Sequence, residues 1–196
     1  MITRLRRLVS KQLEVIAKVL QAVGMTPNAV TLLGLAIAGL CPILAYAQNP
    51  VGVFAAFAMS SIMDALDGAL ARVSGRITKF GSILDSFSDR VEEGLYFASL
   101  VILGLPPVWV IFSLMVSFAI SYLRALGEKH SIKLEGVGLL ERGERLLILA
   151  VVFAGVCMDN MILSKTSIVL LLLLGSVTVV QRLLYIYQNI TSSEAL

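Results

Sequence analysis

Charged residues are scarce in this chain of 196 residues: Asp, Glu, Lys and Arg make up 15% of it, against 58% for the hydrophobic types. Soluble domains carry about 25% charged and about 45–50% apolar residues, so this composition argues against an ordinary soluble domain and for a surface in contact with lipid.

Cysteine is also scarce. Cys41 and Cys157 lie singly in apolar runs, with no C-x-x-C partner or metal ligand nearby, and we interpret both as packing residues. The single histidine, His130, stands alone in a polar loop and suggests no role.

Long apolar segments dominate the chain instead. Six of them, at roughly 29–47, 51–72, 80–104, 107–127, 139–158 and 164–187, come close to the length of about 20 residues that crosses a bilayer as a helix. Residues 1–23 alternate basic and apolar positions at helical spacing, which indicates a helix on the membrane surface. They lack the uninterrupted apolar core and cleavage site of a signal peptide. We therefore predict an all-α integral membrane protein: an amphipathic helix over 1–23, then a domain of six transmembrane helices over 24–196.

The basic residues predict the orientation. Of the 16 lysines and arginines, all but Lys165 precede the first segment, lie near the second or fourth turn, or lie near the C-terminus. Positive charge collects on the cytoplasmic side of membrane proteins. We expect a multi-pass protein of the cell membrane with both termini and the second and fourth turns in the cytoplasm.

Four aspartates interrupt the apolar segments at one turn. Asp64 and Asp67 lie near the end of the second segment, and Asp85 and Asp89 near the start of the third. The i,i+3 and i,i+4 spacings put each pair on one helix face, and the short turn lets the pairs converge. Carboxylates in membrane helices are costly and usually face a partner or a wet cavity, and oxygen ligands suit Mg²⁺ or Mn²⁺. Pairing with neighbouring arginines is the alternative, but it does not explain two acidic pairs flanking one turn.

Small residues accompany the aspartates. Gly68, Ala71 and Gly81 leave room for a ligand or another backbone to approach, although helix packing alone also favours small residues. Arg72 is placed to meet negative charge such as a pyrophosphate.

These residues together resemble a known motif. Asp64-x-x-Asp67-Gly68-x-x-Ala71-Arg72, then eight residues, then Gly81-x-x-x-Asp85-x-x-x-Asp89 is similar to the complete motif of the CDP-alcohol phosphotransferase family. The resemblance extends to the six-segment layout and to residues 26–31. It implies two Mg²⁺ or Mn²⁺ ions per active site, held by Asp64, Asp67, Asp85 and Asp89, with Asp89 also the catalytic base. It implies a homodimer, and contacts to a CDP-activated lipid from Asn28, Ala29, Val30, Thr31, Gly68, Ala71, Arg72 and Thr78.

The fourth-to-fifth region suggests the acceptor. Residues 121–125 and 136–146 resemble the branch of the family that makes phosphatidylinositol phosphate, or its archaeal ether-lipid counterpart, from inositol phosphate. The resemblance implies that Arg124, Arg142, Arg145 and Arg182 bind the phosphate of the acceptor. They could instead be ordinary flanking charges, or be neutralised by nearby glutamates.

The expected reaction transfers a diacyl- or dialkylglycerol phosphate group from a CDP-lipid to inositol 1-phosphate and releases CMP. Glycerol 3-phosphate or another small alcohol is the alternative acceptor, and the lipid type and the choice between Mg²⁺ and Mn²⁺ stay open. Expected partners are the CDP-lipid, the phosphorylated alcohol and membrane lipids, with no nucleic acid. A transporter would normally show inverted repeats or broken helices, which we do not find, and a purely structural membrane protein would not need the aspartates.

Overall fold

A computed structural model describes residues 2–194 of the chain, and the side chains of residues 12–191. Every regular element in this range is a helix, which confirms the all-α prediction there. Met1, Ala195 and Leu196, which the predicted domain limits include, lie outside the described residues. The helices are α1 Ile2–Ala22, α2 Pro27–Tyr46, α3 Pro50–Ser74, α4 Lys79–Ile102, α5 Pro107–Lys129, α6 Arg142–Cys157 and α7 Met161–Glu194.

Capping residues explain where the first apolar helices begin. The Thr26 hydroxyl accepts a hydrogen bond from the Ala29 amide at 3.3 Å, and the Asn49 side chain accepts one from the Gly52 amide at 2.9 Å. A proline follows each cap as the first helical residue, where its missing N–H costs nothing. Helices α2 and α3 therefore start one or two residues before the apolar runs.

Three predicted boundaries were wrong by more than that. The sixth segment was expected to start at 164, but α7 begins at Met161, where the Asn160 side chain accepts a hydrogen bond from the Leu163 amide at 3.0 Å. The fifth segment was expected to start at 139, but α6 begins at Arg142, because the Glu141 amide donates to the Glu144 side chain at 3.0 Å in a capping box. The sixth was expected to end near 187, but α7 continues to Glu194, since no glycine or proline follows Gly175 to stop it.

Four of the described helices, α2, α3, α5 and α7, are long and apolar enough to cross a membrane. Helix α4 carries five charged residues from Asp85 to Glu93, and α6 has only 16 residues. At 1.5 Å per residue, α6 covers about 24 Å of a hydrocarbon core of about 30 Å. The six predicted segments are all helical, but length and composition support only four as spans.

The chain divides into two compact units, residues 1–99 and 100–196. In the first unit, α1 and α2 both pack on α3. Ala17 of α1, Val30 of α2 and Leu66 and Leu70 of α3 belong to one buried cluster. Since these side chains come from three helices, the cluster fixes how α1, α2 and α3 are arranged.

A buried hydrogen-bond chain joins α4 to the same helices. The Tyr96 hydroxyl donates to Ser60 Oγ of α3 at 2.8 Å, and Ser60 Oγ donates to the Gly34 carbonyl of α2 at 2.9 Å. The ring of Phe57 packs edge-on to Tyr96, with 4.9 Å between centroids. The aspartate-bearing ends of α3 and α4 are thus held by contacts made along the helices.

In the second unit, α7 packs on both α5 and α6. Ser113 of α5 donates to the Ile168 carbonyl at 3.3 Å, and Ser164 of α7 donates to the Val152 carbonyl at 2.9 Å. A Cβ on Gly155 would overlap Ser164, so the absence of a side chain allows α6 and α7 this close approach.

Candidate active site

A cleft of about 210 Å³ opens in the first unit, where α2 and α4 begin and α3 ends. It contains most of the site residues predicted for this part of the chain. It also contains Arg76 and Ser82, which the sequence analysis did not assign to the site. The lining residues are Pro27, Asn28, Thr31, Asp67, Gly68, Ala71, Arg72, Arg76, Ile77, Thr78, Gly81, Ser82 and Asp85.

Asp67 and Asp85 bring carboxylates from two helices to this cleft. Asp67 is only 5% exposed, and its Oδ2 accepts a hydrogen bond of 2.5 Å from the Thr31 hydroxyl of α2. The charges of Asp85 and Asp64 both repel that of Asp67. Like charges held together in a buried place favour the binding of a cation. The inner members of the two predicted pairs therefore share a site.

Asp64 lies beside α2 and does not line the cleft. A Cβ placed on Gly34 would come within 3.4 Å of Asp64 Oδ1 and 3.4 Å of Glu92 Oε1. Glu92, on α4, is fully buried and near Asp64, although the sequence analysis did not select it. Its spacing was a usable signal, because residues 85, 89 and 92 fall at i, i+4 and i+7 on one helix face.

Asp89 also lies outside the cleft lining. Its side chain is 12% exposed, and its Oδ2 accepts from Arg90 Nη2 at 3.3 Å. Arg90 Nε lies 3.9 Å from Glu93 Oε2. Asp89 thus belongs to a row of alternating charges on α4, and its role as a base stays a prediction.

The donor chemistry of the cleft fits a hard divalent cation. Carboxylate oxygens are the ligands that Mg²⁺ and Mn²⁺ prefer, and Asp67 and Asp85 supply them from facing helices. Among the side chains of residues 12–191, no three or more of the types His, Cys, Asp and Glu are grouped as a metal site. The structure thus brings two of the four predicted ligands into one cleft.

Glycines shape the part of the cleft predicted to hold the nucleotide. A Cβ on Gly81 would stand 2.9 Å from Thr78 Oγ1, closer than real Cβ contacts allow, and 3.0 Å from Asn28 Oδ1, which is closer than most. Gly81 therefore lets the first turns of α2 and α4 meet. At Gly68 the nearest atom to an added Cβ is Arg72 Nη1 at 3.5 Å, an ordinary contact distance. Gly68 leaves open space on the cleft side of α3.

Ala29 and Val30 are the predicted nucleotide contacts that do not line the cleft. Val30 is fully buried in the cluster with Ala17 and Leu66, and Ala29 is exposed. The run of residues 28–31 lies on a helix, so its side chains point in different directions. Only Asn28 and Thr31 face the cleft.

The predicted acceptor arginines all lie in the second unit. Arg145 and Arg182 are each 2% exposed. Arg182 donates from Nε to the Val137 carbonyl at 3.0 Å and from Nη1 to the Ile120 carbonyl at 2.6 Å. The structure thus ties a side chain predicted to bind phosphate to two main-chain oxygens.

The other three arginines differ in exposure and in their partners. Arg145 Nη2 donates to the Ser121 hydroxyl at 3.2 Å. Arg124 is exposed and pairs with Glu128 at 3.1 Å, while Arg142 is half-buried at the start of α6. Arg145 and Arg124 both repel the charge of Arg182, and Glu141 attracts it. Arg124 and Arg145 are therefore both close enough to act on Arg182.

Comparison with known proteins agrees with this geometry. The family model described as CDP-alcohol phosphatidyltransferase matches residues 24–184. An archaetidylinositol phosphate synthase of Aeropyrum pernix is 38% identical over 173 residues, which cover 87% of this chain and 88% of that protein. The synthase of the same name from Pyrococcus horikoshii is 34% identical over 183 residues, 93% of this chain and 94% of that protein.

The fold agrees with solved structures as well. The phosphatidylinositol phosphate synthase of Mycobacterium tuberculosis, crystallised with manganese and citrate, matches with a TM-score of 0.76 at 28% identity, covering 89% of this chain and 88% of that one. The same enzyme with CDP-DAG bound matches with a TM-score of 0.74 at 28% identity, covering 89% and 93%. The chain belongs to the CDP-alcohol phosphatidyltransferase family.

Proposed function

We propose that the protein transfers a phosphatidyl-type group from a CDP-activated lipid to inositol 1-phosphate and releases CMP. The observation that carries the proposal is the cleft in which Asp67 and Asp85 meet Asn28, Thr31 and Arg72 from three helices. Its carboxylates suit a metal, and its arginine suits a pyrophosphate. The relatives named archaetidylinositol phosphate synthase, and the related enzyme solved with CDP-DAG, support the same donor and acceptor.

Two Mg²⁺ or Mn²⁺ ions are the proposed cofactors, held by Asp64, Asp67, Asp85 and Asp89. The manganese in the related mycobacterial enzyme supports this assignment. When bound, the ions neutralise the negative charge of the pyrophosphate and of the group being transferred. The Thr31 hydroxyl fixes the direction of the Asp67 carboxylate before any ion binds.

The protein's own groups account for the remaining steps. Asp89 takes the proton of the acceptor hydroxyl, whose oxygen then bonds to the lipid-bearing phosphorus. The bond from that phosphorus to the oxygen of CMP breaks, and CMP leaves with the electron pair. Arg72 binds the pyrophosphate, and Gly68 leaves the space that the nucleotide occupies. The proposed CDP-lipid contacts are the predicted residues that line the cleft, Asn28, Thr31, Gly68, Ala71, Arg72 and Thr78.

We propose the four arginines of the second unit as the binding site for the acceptor's phosphate. Arg124 and Arg145 each repel the charge of Arg182, and Arg145 and Arg182 are buried. An anion between such side chains relieves their repulsion and accepts charge-assisted hydrogen bonds. A phosphate therefore suits this arginine cluster better than a neutral alcohol does.

We further propose that α2 to α7 all span the cell membrane, with both termini and the active site in the cytoplasm. The proposed oligomeric state is a homodimer. Helix α1 then lies on the membrane surface. It packs on α3 through Ala17, while Val15 and Val19, and Val23 directly after the helix, remain exposed and apolar. Such a face fits the headgroup region of a bilayer.

The test is CMP release by the purified protein in lipid vesicles that contain a CDP-lipid. Inositol 1-phosphate, inositol, glycerol 3-phosphate and serine are compared as acceptors, each with Mg²⁺, with Mn²⁺ and with chelator. We expect metal-dependent release with inositol 1-phosphate above all. Preference for glycerol 3-phosphate or unphosphorylated inositol would contradict the proposed acceptor. No CMP release with any acceptor would contradict the proposed reaction.

A further inference from the structure

A buried threonine in the second unit fastens the loop before α6 to α7. Thr178 is fully buried. Its Oγ1 accepts hydrogen bonds from the amides of Leu139 at 3.2 Å and Leu140 at 3.0 Å, and donates to the Leu174 carbonyl at 2.9 Å. One hydroxyl hydrogen and two lone pairs are thereby all used. This hydroxyl holds two main-chain groups that belong to no helix.

Arg182 holds the same loop one helical turn further along α7. Residues 178 and 182 are four apart and share a helix face. Arg182 Nε bonds the Val137 carbonyl at 3.0 Å. Between these attachments, Gly138 has a φ of +107° and lies so close to the Thr178 methyl that an added Cβ would overlap it. Residues 137–140 are thus fixed to α7 by a hydroxyl on one side and a guanidinium on the other.

This attachment sets where α6 begins. Leu140 is followed directly by Glu141, the N-cap, and by Arg142, the first residue of α6, with Arg145 one turn on. A shift of the loop along α7 would therefore move the start of α6 relative to Arg182. Such a shift would also release the Val137 carbonyl that orients the Arg182 guanidinium.

We infer that Thr178 is a positioning residue for the acceptor site, and that its hydroxyl aligns Arg142 and Arg145 of α6 with Arg182 of α7 around one phosphate. This inference rests on the proposed role of those arginines. Thr178 acts through the main chain of the loop and needs no contact with the substrate.

The first test replaces the hydroxyl by a methyl in the full-length protein, Thr178→Val, with Thr178→Ser as the variant that keeps it. We expect Thr178→Val to raise the KM for inositol 1-phosphate about tenfold to a hundredfold, the range that small misplacements of binding groups produce. The KM for the CDP-lipid should stay within about twofold of wild type by the same reasoning. Thr178→Ser should keep both constants near wild type.

Thr166→Val is the matched control. Thr166 lies on the same helix and donates to a carbonyl four residues back, at 2.8 Å, but it is exposed and holds no loop. It should leave both KM values unchanged. Calorimetric titration of the metal-free protein with inositol 1-phosphate gives a second readout, in which Thr178→Val alone should weaken binding.

A merely structural role predicts a lower melting temperature with no selective change in acceptor affinity, and that result would overturn the inference. If Thr178→Val does not fold, Gly138→Ala replaces it, because the added methyl pushes the loop away from Thr178. An unchanged acceptor KM in Gly138→Ala would equally refute the inference.

If Arg142→Ala raises the acceptor KM and Thr178→Val does not, only the positioning role fails. If wild type neither binds nor uses a phosphorylated acceptor, the proposed function and this inference fail together.

Discussion

The bond between Thr31 and Asp67 gives a sharp test of how the cleft is held together. Both side chains are buried, and the Thr31 hydroxyl lies 2.5 Å from Asp67 Oδ2 and 3.1 Å from the Pro27 carbonyl. One hydroxyl hydrogen cannot serve both acceptors fully, and the shorter distance assigns it to the carboxylate. A hydrogen bond to a charged group contributes about 1.5–3 kcal/mol. Thr31→Val keeps the shape and removes the hydroxyl, so it should lower the free energy of unfolding by about that amount.

The assay is reversible unfolding of the metal-free protein in mixed micelles. Thr166→Val is again the control, since it removes the same kind of bond to the carbonyl four residues back without touching a carboxylate. It should change stability by less than about 0.5 kcal/mol, and Thr31→Ser should recover most of the loss at 31. Equal stabilities of Thr31→Val and Thr166→Val would refute the reasoning, because the contribution assigned to Asp67 would then be absent.

Four further predictions concern activity. Asp67→Asn should abolish metal-dependent CMP release, measured at up to millimolar Mg²⁺ or Mn²⁺, and near-normal rates would contradict the two-ion assignment. Asp89→Asn should nearly eliminate transfer while CDP-lipid binding persists, and loss of binding with an unchanged maximal rate would exclude it as the base. Gly68→Ala should barely change the melting temperature, since a Cβ fits at 3.5 Å from Arg72, but should weaken CDP-lipid binding in a filter assay. Arg142→Ala should raise the acceptor KM about tenfold to a hundredfold, from the contribution of a charge-assisted bond, without altering the KM for the CDP-lipid.

The sequence predicted the helices well because their boundaries depend on local chemistry. Thr26-Pro27 and Asn49-Pro50 are readable as caps. The predicted start of α6 was wrong for two reasons, the local capping box of Glu141 and Glu144 and a contact that is not local. Leu139 and Leu140 look like the first residues of an apolar helix, but a hydroxyl 38 or more residues away binds their amides. No pattern within the segment reveals that partner.

The site shows the same division between local and distant contacts. The spacings of Asp67 and Asp85 were sufficient to predict that they meet, because a short turn joins their helices. A run of neighbouring residues such as 28–31 predicts less, since helical geometry turns Val30 into the core while Thr31 faces the cleft. The two carbonyls that bind Arg182 lie 45 and 62 residues before it. Contacts of that range follow from tertiary packing and leave no mark on composition or spacing.

Helix α4 is not among the described helices that are apolar enough to cross a membrane. The arrangement of its side chains explains why. Many of its buried groups are polar or charged, among them Glu92, Glu93 and Tyr96, beside the apolar Phe97 and Leu100 near its end, whereas Phe80, Ile83 and Phe87 are exposed and apolar. A soluble helix has the opposite arrangement, with its apolar stripe facing the core. Ionisable side chains in membrane helices are rare and face the protein interior near polar groups, and here Glu92 Oε2 lies 3.3 Å from the Tyr96 hydroxyl. The charges of Glu92 and Glu93, which lower the hydropathy of α4, are therefore on its protein side, and the low hydropathy is consistent with the proposed membrane location.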